Sequence, residues 1–437
     1  MNTKFKAVRT PRKNIARAMA IVLAMGVGGW AAAQIPAESQ RHLDAATRNV
    51  GDDPFMMQYS RQFYCNLPED NNDIVIAARG FNNTTGTGAN AIYRIPLTRI
   101  FDDVWFIGNH YVGQYLIKTA DGFVVLDSGN TANEFATFNY PALQSLGLSA
   151  SFPLKAIFLT HGHADHDGGA LWALQNLGAR SYLGTGDAAG KAYSPITLNS
   201  TDLSFRAMSV GGKTIWVLPT PGHTPGATSA ILEVSDWGTT RRVLMNGGQS
   251  MTNSVPQVAQ YLDSIERTYS MAKALRVDGV MTPHIFWDGE GAKLDEINAT
   301  GRTNPSQNIY GEANVLRQLA VARECSAAWL TQLDATRVLS VWRVSWTKLM
   351  SGSPTANQVS AQVTNGWGPL ASQKVLFTVD NQMCTAMTNS QGIAACAKSF
   401  PGLGTPSGPK KVTAAYLGAT TSQFVDLQSE DTQTITP

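Results

Sequence analysis

Between positions 161 and 166 the chain sets three imidazoles and a carboxylate into six residues, His161-Gly162-His163-Ala164-Asp165-His166. The run directly follows an apolar strand, Leu154-Lys155-Ala156-Ile157-Phe158-Leu159, and precedes Gly168-Gly169 and a helix start at Ala170-Leu171-Trp172. It therefore sits on a strand-end loop, the one setting where several neighbouring side chains can point into one cleft. Neutral imidazoles and a carboxylate are borderline ligands suited to zinc, and three protein ligands leave a place open for water. Water bound there is acidified to a pKa of about 7.

The other histidines narrow the reading. The chain has seven. His223 lies in Pro221-Gly222-His223-Thr224-Pro225-Gly226 and His284 in Thr282-Pro283-His284, each just past a short apolar strand. Five of the seven thus fall on strand-end loops of one region. His42 and His110 lie elsewhere and are expected to be ordinary structural histidines.

Around these loops, short β-rich runs begin at Val104, Gln114 and Gly122 and read as an antiparallel meander. A helical stretch over 132–146, strands at 216–218, 230–234, 243–245 and 279–281, and long helices over 257–275 and 312–333 follow. Strands interleaved with helices predict a layered α/β fold with sheets at its centre. Arg79 to Gly88 is turn-rich. Gly86-x-Gly88-x-x-Ala91 brushes the nucleotide-binding pattern, but no helix of strong apolar period follows it, so it reads as a plain loop.

Taken together, His161-x-His163-x-Asp165-His166-x-Gly168-Gly169, Pro221-Gly222-His223-Thr224-Pro225-Gly226 and Thr282-Pro283-His284 resemble the metallo-β-lactamase superfamily over roughly residues 95–335. The resemblance implies an αββα sandwich. It implies one zinc on His161, His163 and His223, and a second on Asp165, His166 and His284, with a bridging hydroxide. Asp127, in Val125-Leu126-Asp127-Ser128-Gly129, is expected to support the metal loop rather than bind metal. Many relatives carry a bridging Asp after the strand corresponding to Val243-Leu244-Met245. This chain continues Asn246-Gly247-Gly248-Gln249-Ser250, with neither that Asp nor a Cys, and in this it resembles subclass B3 β-lactamases.

The function implied is opening of the cyclic amide of β-lactams by metal-bound hydroxide, and with it antibiotic resistance. Asp165 would be catalytic, binding the second zinc and orienting the nucleophile. Ser250, Phe286 and Trp287 are candidate substrate contacts. No Gly-x-Ser-x-Gly elbow offers a serine nucleophile. The alternatives are hydrolysis of another ester or lactone, such as an acyl-homoserine lactone, and a non-catalytic surface binding protein.

Composition matters at the two ends. Lys4, Lys6, Arg9, Arg12, Lys13 and Arg17 precede the apolar run 18–29 and Ala31-Ala32-Ala33, the layout of a secretory signal cleaved after Ala33. The apolar run is about a dozen residues, short of the roughly 20 a spanning helix needs. Without that segment the 34 basic residues fall by six to 28 against 32 acidic ones, so no nucleic-acid partner is indicated. Periplasmic or secreted placement and a small-molecule substrate are expected.

Four cysteines in an exported chain permit two disulfides. Cys384 and Cys396, 12 apart in a strand-like region, suit a hairpin or adjacent-strand staple. That choice would leave Cys65 with Cys325, though the connectivity itself stays open. The expected layout is an N-terminal extension over 34–94, the hydrolase domain over 95–345 and a small all-β sandwich over 355–427. Ser351-Gly352-Ser353-Pro354 reads as a linker. The last module resembles a bacterial Ig-like domain through Val375–Val379, Cys384-Thr385-Ala386 and Gly392–Cys396, with cell-envelope contact as a possible role.

Overall fold

A computed structural model describes residues 35–53, 56, 60–65, 94–199, 203–350, 359–396, 400 and 408–435. The expected signal sequence, the Arg79–Gly88 loop and the Ser351–Pro354 linker lie outside them.

Two sheets face each other. The first runs β1 (Arg94–Arg99), β2 (Val104–Asn109), β3 (Gly113–Lys118), β4 (Phe123–Leu126), β5 (Leu154–Phe158), β6 (Arg180–Gly184) and β7 (Ile196–Leu198), in that order. It is antiparallel as far as β4 and parallel from β4 to β7. The second contains β8 (Arg206–Val210), β9 (Lys213–Pro219), β10 (Thr228–Asp236), β11 (Thr239–Met245) and β12 (Gly279–Met281), ordered β12-β11-β10-β9-β8. Only its β11–β12 pairing is parallel.

The side-chain period of two explains why the strands read as continuous apolar runs. Tyr115 and Ile117 on β3, Val124 and Leu126 on β4, and Ala156 and Phe158 on β5 point between the sheets, where they meet Leu232, Val243 and Met245. Their neighbours Leu116, Val125 and Ile157 point outward, under the helical run over 132–145 and helix α1 (Ala170–Leu177). On the second sheet Leu218, Ile231 and Leu244 point outward, under α2 (Val255–Ala274) and α3 (Glu312–Leu333). A sheet covered on both faces needs apolar residues at every position. The result is the expected αββα sandwich.

N-terminal to this, the helix Ala37–Val50 packs on α3, with Leu43, Ala46 and Val50 against Val321, Ala322 and Cys325. Cys65 is bonded to Cys325, across 260 residues of sequence. The C-terminal strands form further all-β sheets. Ser345–Leu349 and Ile393–Cys396 pair with Val359–Asn365, and Lys374–Val379 lies between Gln382–Met387 and Lys410–Tyr416, which pairs onward with Ser429–Ile435. Val359, Val375, Phe377, Val412 and Tyr416 fill the space between these sheets. Pairing thus extends to Ser345 and Ile435, past the 355–427 span expected for this module.

The Cys384–Cys396 bond is present, but it is not a hairpin staple. Cys384 lies on the strand paired with Lys374–Val379, and Cys396 on the strand paired with Val359–Asn365. The bond joins the two sheets of the module, because the chain changes sheets between them.

Candidate metal centre

The topology brings several strand ends to one edge. Because β4, β5 and β6 are parallel, their C-terminal ends lie side by side and deliver Asp127, the 161–166 run and the Thr185–Asp187 turn. From the second sheet, β9, β11 and β12 end in the loops of His223, Asn246 and His284. Carboxyl ends of parallel strands are the usual place for a site in an α/β sheet.

Six side chains converge there in two triads, His161, His163 and His223, and Asp165, His166 and His284. In the first, His161 Nε2 lies 3.1 Å from His163 Nδ1 and 3.1 Å from His223 Nε2, and His223 Nε2 is 3.2 Å from His163 Nδ1. In the second, the Nε2 atoms of His166 and His284 are 3.1 Å apart, and Asp165 Oδ2 is 3.6 Å from each. Ligand atoms about 2.0–2.1 Å from one tetrahedral zinc would be spaced by roughly 3.3 Å.

The outer ring nitrogens settle which atoms face inward. His223 Nδ1 donates to the Ser250 carbonyl at 2.7 Å, and His284 Nδ1 to the Tyr111 carbonyl at 3.1 Å. His166 Nδ1 donates to Asp127 Oδ2 at 2.8 Å. The Thr160 hydroxyl gives its proton to Asp127 Oδ2 at 3.0 Å and so accepts from His161 Nδ1 at 3.1 Å. With these protons outside, the facing Nε2 atoms present lone pairs to each other at 3.1 Å. Lone pairs that close are repulsive unless a cation lies between them.

Protonation does not relieve the repulsion for most of these rings. Burial holds His161 well below the usual imidazole range, helped by the neighbouring imidazoles. Burial likewise pushes His223 down to about 4 and His284 down to about 3. His166 is raised, because Asp127, through both charge and hydrogen bond, outweighs its burial. Asp165 is also buried, but His166 and His284 overcome that and lower its pKa. The donor chemistry fits divalent metal with neutral imidazoles and an ionised carboxylate.

Asp127 itself adopts φ +57°, left-handed for a non-glycine residue. From there Oδ1 accepts the Thr160 backbone N–H at 2.7 Å. One carboxylate thus braces Thr160, His161 through Thr160, and His166.

Among the candidate substrate contacts, Phe286 lies 5.6 Å from the His284 ring and stacks on Tyr111 at 5.6 Å, 27°. Trp287 is 3% exposed and packs edge-on to Tyr64 at 4.9 Å, inside the core. Ser250 reaches the site through its carbonyl. Asn246, at the position without a carboxylate, donates to Tyr64 Oη at 2.8 Å and accepts from Ser229 Oγ at 3.4 Å. Outside the cleft, buried His42 binds Glu324 at 2.6 Å and His110 lies 3.3 Å from Asp295. Two groups escaped the sequence reading, the Tyr111 carbonyl and Asp187, whose Oδ2 accepts the Gly162 N–H at 2.8 Å. A carbonyl carries no residue signature, and a lone Asp 21 residues past His166 carries little more.

Comparison with known proteins identifies the region. Residues 108–236 match the metallo-β-lactamase superfamily. A 92-residue stretch is 41% identical to a hydroxyacylglutathione hydrolase from Anaeromyxobacter dehalogenans, covering 20% of this chain and 33% of that protein. The chain therefore spans about a third of the length of the curated relative it matches. Among solved structures, the subclass B3 metallo-β-lactamase BJP-1 of Bradyrhizobium japonicum is 22% identical, with TM-score 0.40 over 53% of this chain and 91% of its own. A Cronobacter sakazakii metallo-β-lactamase with a HARLDQ motif is 22% identical, with TM-score 0.44 over 57% and 99%. FEZ-1 from Legionella gormanii is 21% identical, with TM-score 0.42 over 52% and 92%.

Proposed function

We propose, from the metallo-β-lactamase superfamily domain that residues 108–236 carry, that this protein is a hydrolase working with two zinc ions. His161, His163 and His223 hold one ion, and Asp165, His166 and His284 hold the other. The observation that carries the reading is the inward convergence of imidazole nitrogens, with the rings of His161, His166, His223 and His284 each fixed from outside. Bound zinc supplies Lewis acidity and an acidified water. The chain's own residues do the rest. Exposed His163 marks the open side. Asp165 stands between His166 and His284 and orients the attacking water. Phe286, on its Tyr111 platform, lines the approach beside His284, with Trp287 supporting it from the core.

The substrate class we assign is the cyclic amide of β-lactams, opened by hydrolysis. Support comes from Asn246, a neutral amide engaged by Tyr64 and Ser229, so that no carboxylate is shared between the triads among the described residues. A second reading, hydrolysis of a thioester, ester or lactone, is favoured by the 41% identity to a hydroxyacylglutathione hydrolase. The two disulfides suit an oxidising compartment, and no described helix is long and apolar enough to cross a membrane. Both are compatible with export by the first 33 residues, and with an Ig-like C-terminal module meeting the cell envelope.

Turnover of nitrocefin, an acyl-homoserine lactone and a hydroxyacyl-glutathione thioester, each with and without a chelator, tests this. Chelator-sensitive nitrocefin hydrolysis is expected. Turnover of the thioester or lactone alone moves the substrate class to the second reading. Chelator-resistant turnover overturns the metal assignment.

A further inference from the structure

We infer that Asp187 is the positioning residue of the three-imidazole cluster, tying the loop of His161 and His163 to the loop of His223. The inference rests on the metal reading above. Asp187 ends the one-turn helix Thr185–Asp187 after β6, so the fold places it beside the 161–166 run. Its Oδ2 accepts the Gly162 backbone N–H at 2.8 Å and the Thr224 hydroxyl at 2.6 Å. Its Oδ1 accepts the Gly226 backbone N–H at 2.9 Å. Gly162 lies between two ligands and Thr224 directly follows the third. A single carboxylate thus receives one donor next to every imidazole of the triad, from loops 60 residues apart in sequence.

Two glycines are shaped to this contact. A Cβ on Gly162 would come 2.9 Å from the Asp187 Cβ, and one on Gly226 would come 2.6 Å from the Asp187 Cγ. Real Cβ atoms do not approach so closely, so both loops need glycine for the carboxylate to enter. Lys191 adds a second tie from the same segment, donating to the Gly162 carbonyl and pairing with Asp167 at 2.6 Å. The Tyr193 hydroxyl also donates to Asp167, at 2.8 Å.

Hydrogen bonds to an ionised carboxylate are the stronger kind, and groups that hold ligands in place are typically worth about 10–100-fold in metal affinity. The second triad is held by Asp127, which also reaches His161 through Thr160, and by the Tyr111 carbonyl, and neither involves Asp187. Asp187→Ala is therefore expected to weaken one metal of the two by about 10–100-fold. Asp187→Asn is no rescue, because its NH2 must face either the Gly226 N–H or the Gly162 and Thr224 donors. Thr224→Val, losing one donor of three, gives a smaller loss.

The test is metal per chain, by mass spectrometry, after dialysis of the full protein against a graded zinc chelator. The melting temperature of each metal-stripped form is measured alongside. We expect the wild type to retain two equivalents where Asp187→Ala and Asp187→Asn retain one, with stripped forms that melt alike. Two equivalents held by Asp187→Ala at wild-type affinity overturn the inference. So does a stripped variant that melts far below the stripped wild type while its metal count is unchanged, which would make Asp187 a folding residue only. If Asp187→Ala does not fold, Thr224→Val decides, since wild-type retention there contradicts the clamp. A wild type without metal defeats the metal reading itself, an outcome distinct from all of these.

Discussion

At the scale of residues, the centre depends on groups that never reach a metal. Asp127 holds the Thr160 N–H, the Thr160 hydroxyl and His166 Nδ1. Asp127→Asn keeps a side chain that tolerates the left-handed φ of +57° but removes the negative charge. In the metal-free protein the pKa of His166, raised by that charge over the opposing effect of burial, is expected to fall, as read by an NMR titration. The affinity of the second metal should drop about 10–100-fold. An unchanged His166 titration would remove Asp127 from this role. Glu290 offers a second test. Burial, aided by Asp288, pushes its carboxyl up to about 7 although Lys293 and Asn308 oppose the shift. Between the unfolded value near 4.5 and about 7, the native state therefore binds the extra proton, so its contribution to stability declines as pH rises through that window. Glu290→Gln has no proton to lose. Relative to the wild type, it should be more stable at pH about 8 than at pH about 5 in denaturant titrations. The convergence of the six side chains was legible because their type, order and strand-end setting all stand in the sequence. Trp287 was less so, since two adjacent aromatics do not reveal which of them turns into the core.

Elements show where sequence reading stops. The central strands and the long helix Glu312–Leu333 were legible from period and turn residues, because burial on both faces makes the runs continuous, whereas β1, β6, β7 and β8, partly exposed and without such runs, were not. Sheet membership was not. The strands of Cys384 and Cys396 are successive in sequence yet pair in different sheets, and no local pattern encodes that switch. The Cys65–Cys325 bond is the stronger case energetically. It closes 260 residues and fixes the segment carrying Phe63 and Tyr64, which pack on Phe286 and Trp287. Replacing both cysteines with serine should cost about 2–5 kcal/mol, read as a lower melting temperature. It should also raise KM more than it lowers kcat, if the aromatic wall serves substrate binding. A double variant that melts like the wild type would contradict the first expectation.

In the whole molecule, a sandwich whose strand ends gather at one edge carries six side chains whose facing nitrogens and carboxylate suit bound cations. The αββα body could be anticipated from the resemblance and the strand pattern. The C-terminal sheets were visible in composition, but not their reach back to Ser345 and forward to Ile435. That reach depends on strand partners at Val359–Asn365 and Lys410–Tyr416, which the alternation of the end strands alone does not identify. Metal content per chain, by mass spectrometry, decides the proposal that each triad holds one metal. Two equivalents of zinc are expected in the wild type and one in His284→Ala. A wild type without bound metal, or a His284→Ala variant that still carries two, would contradict it.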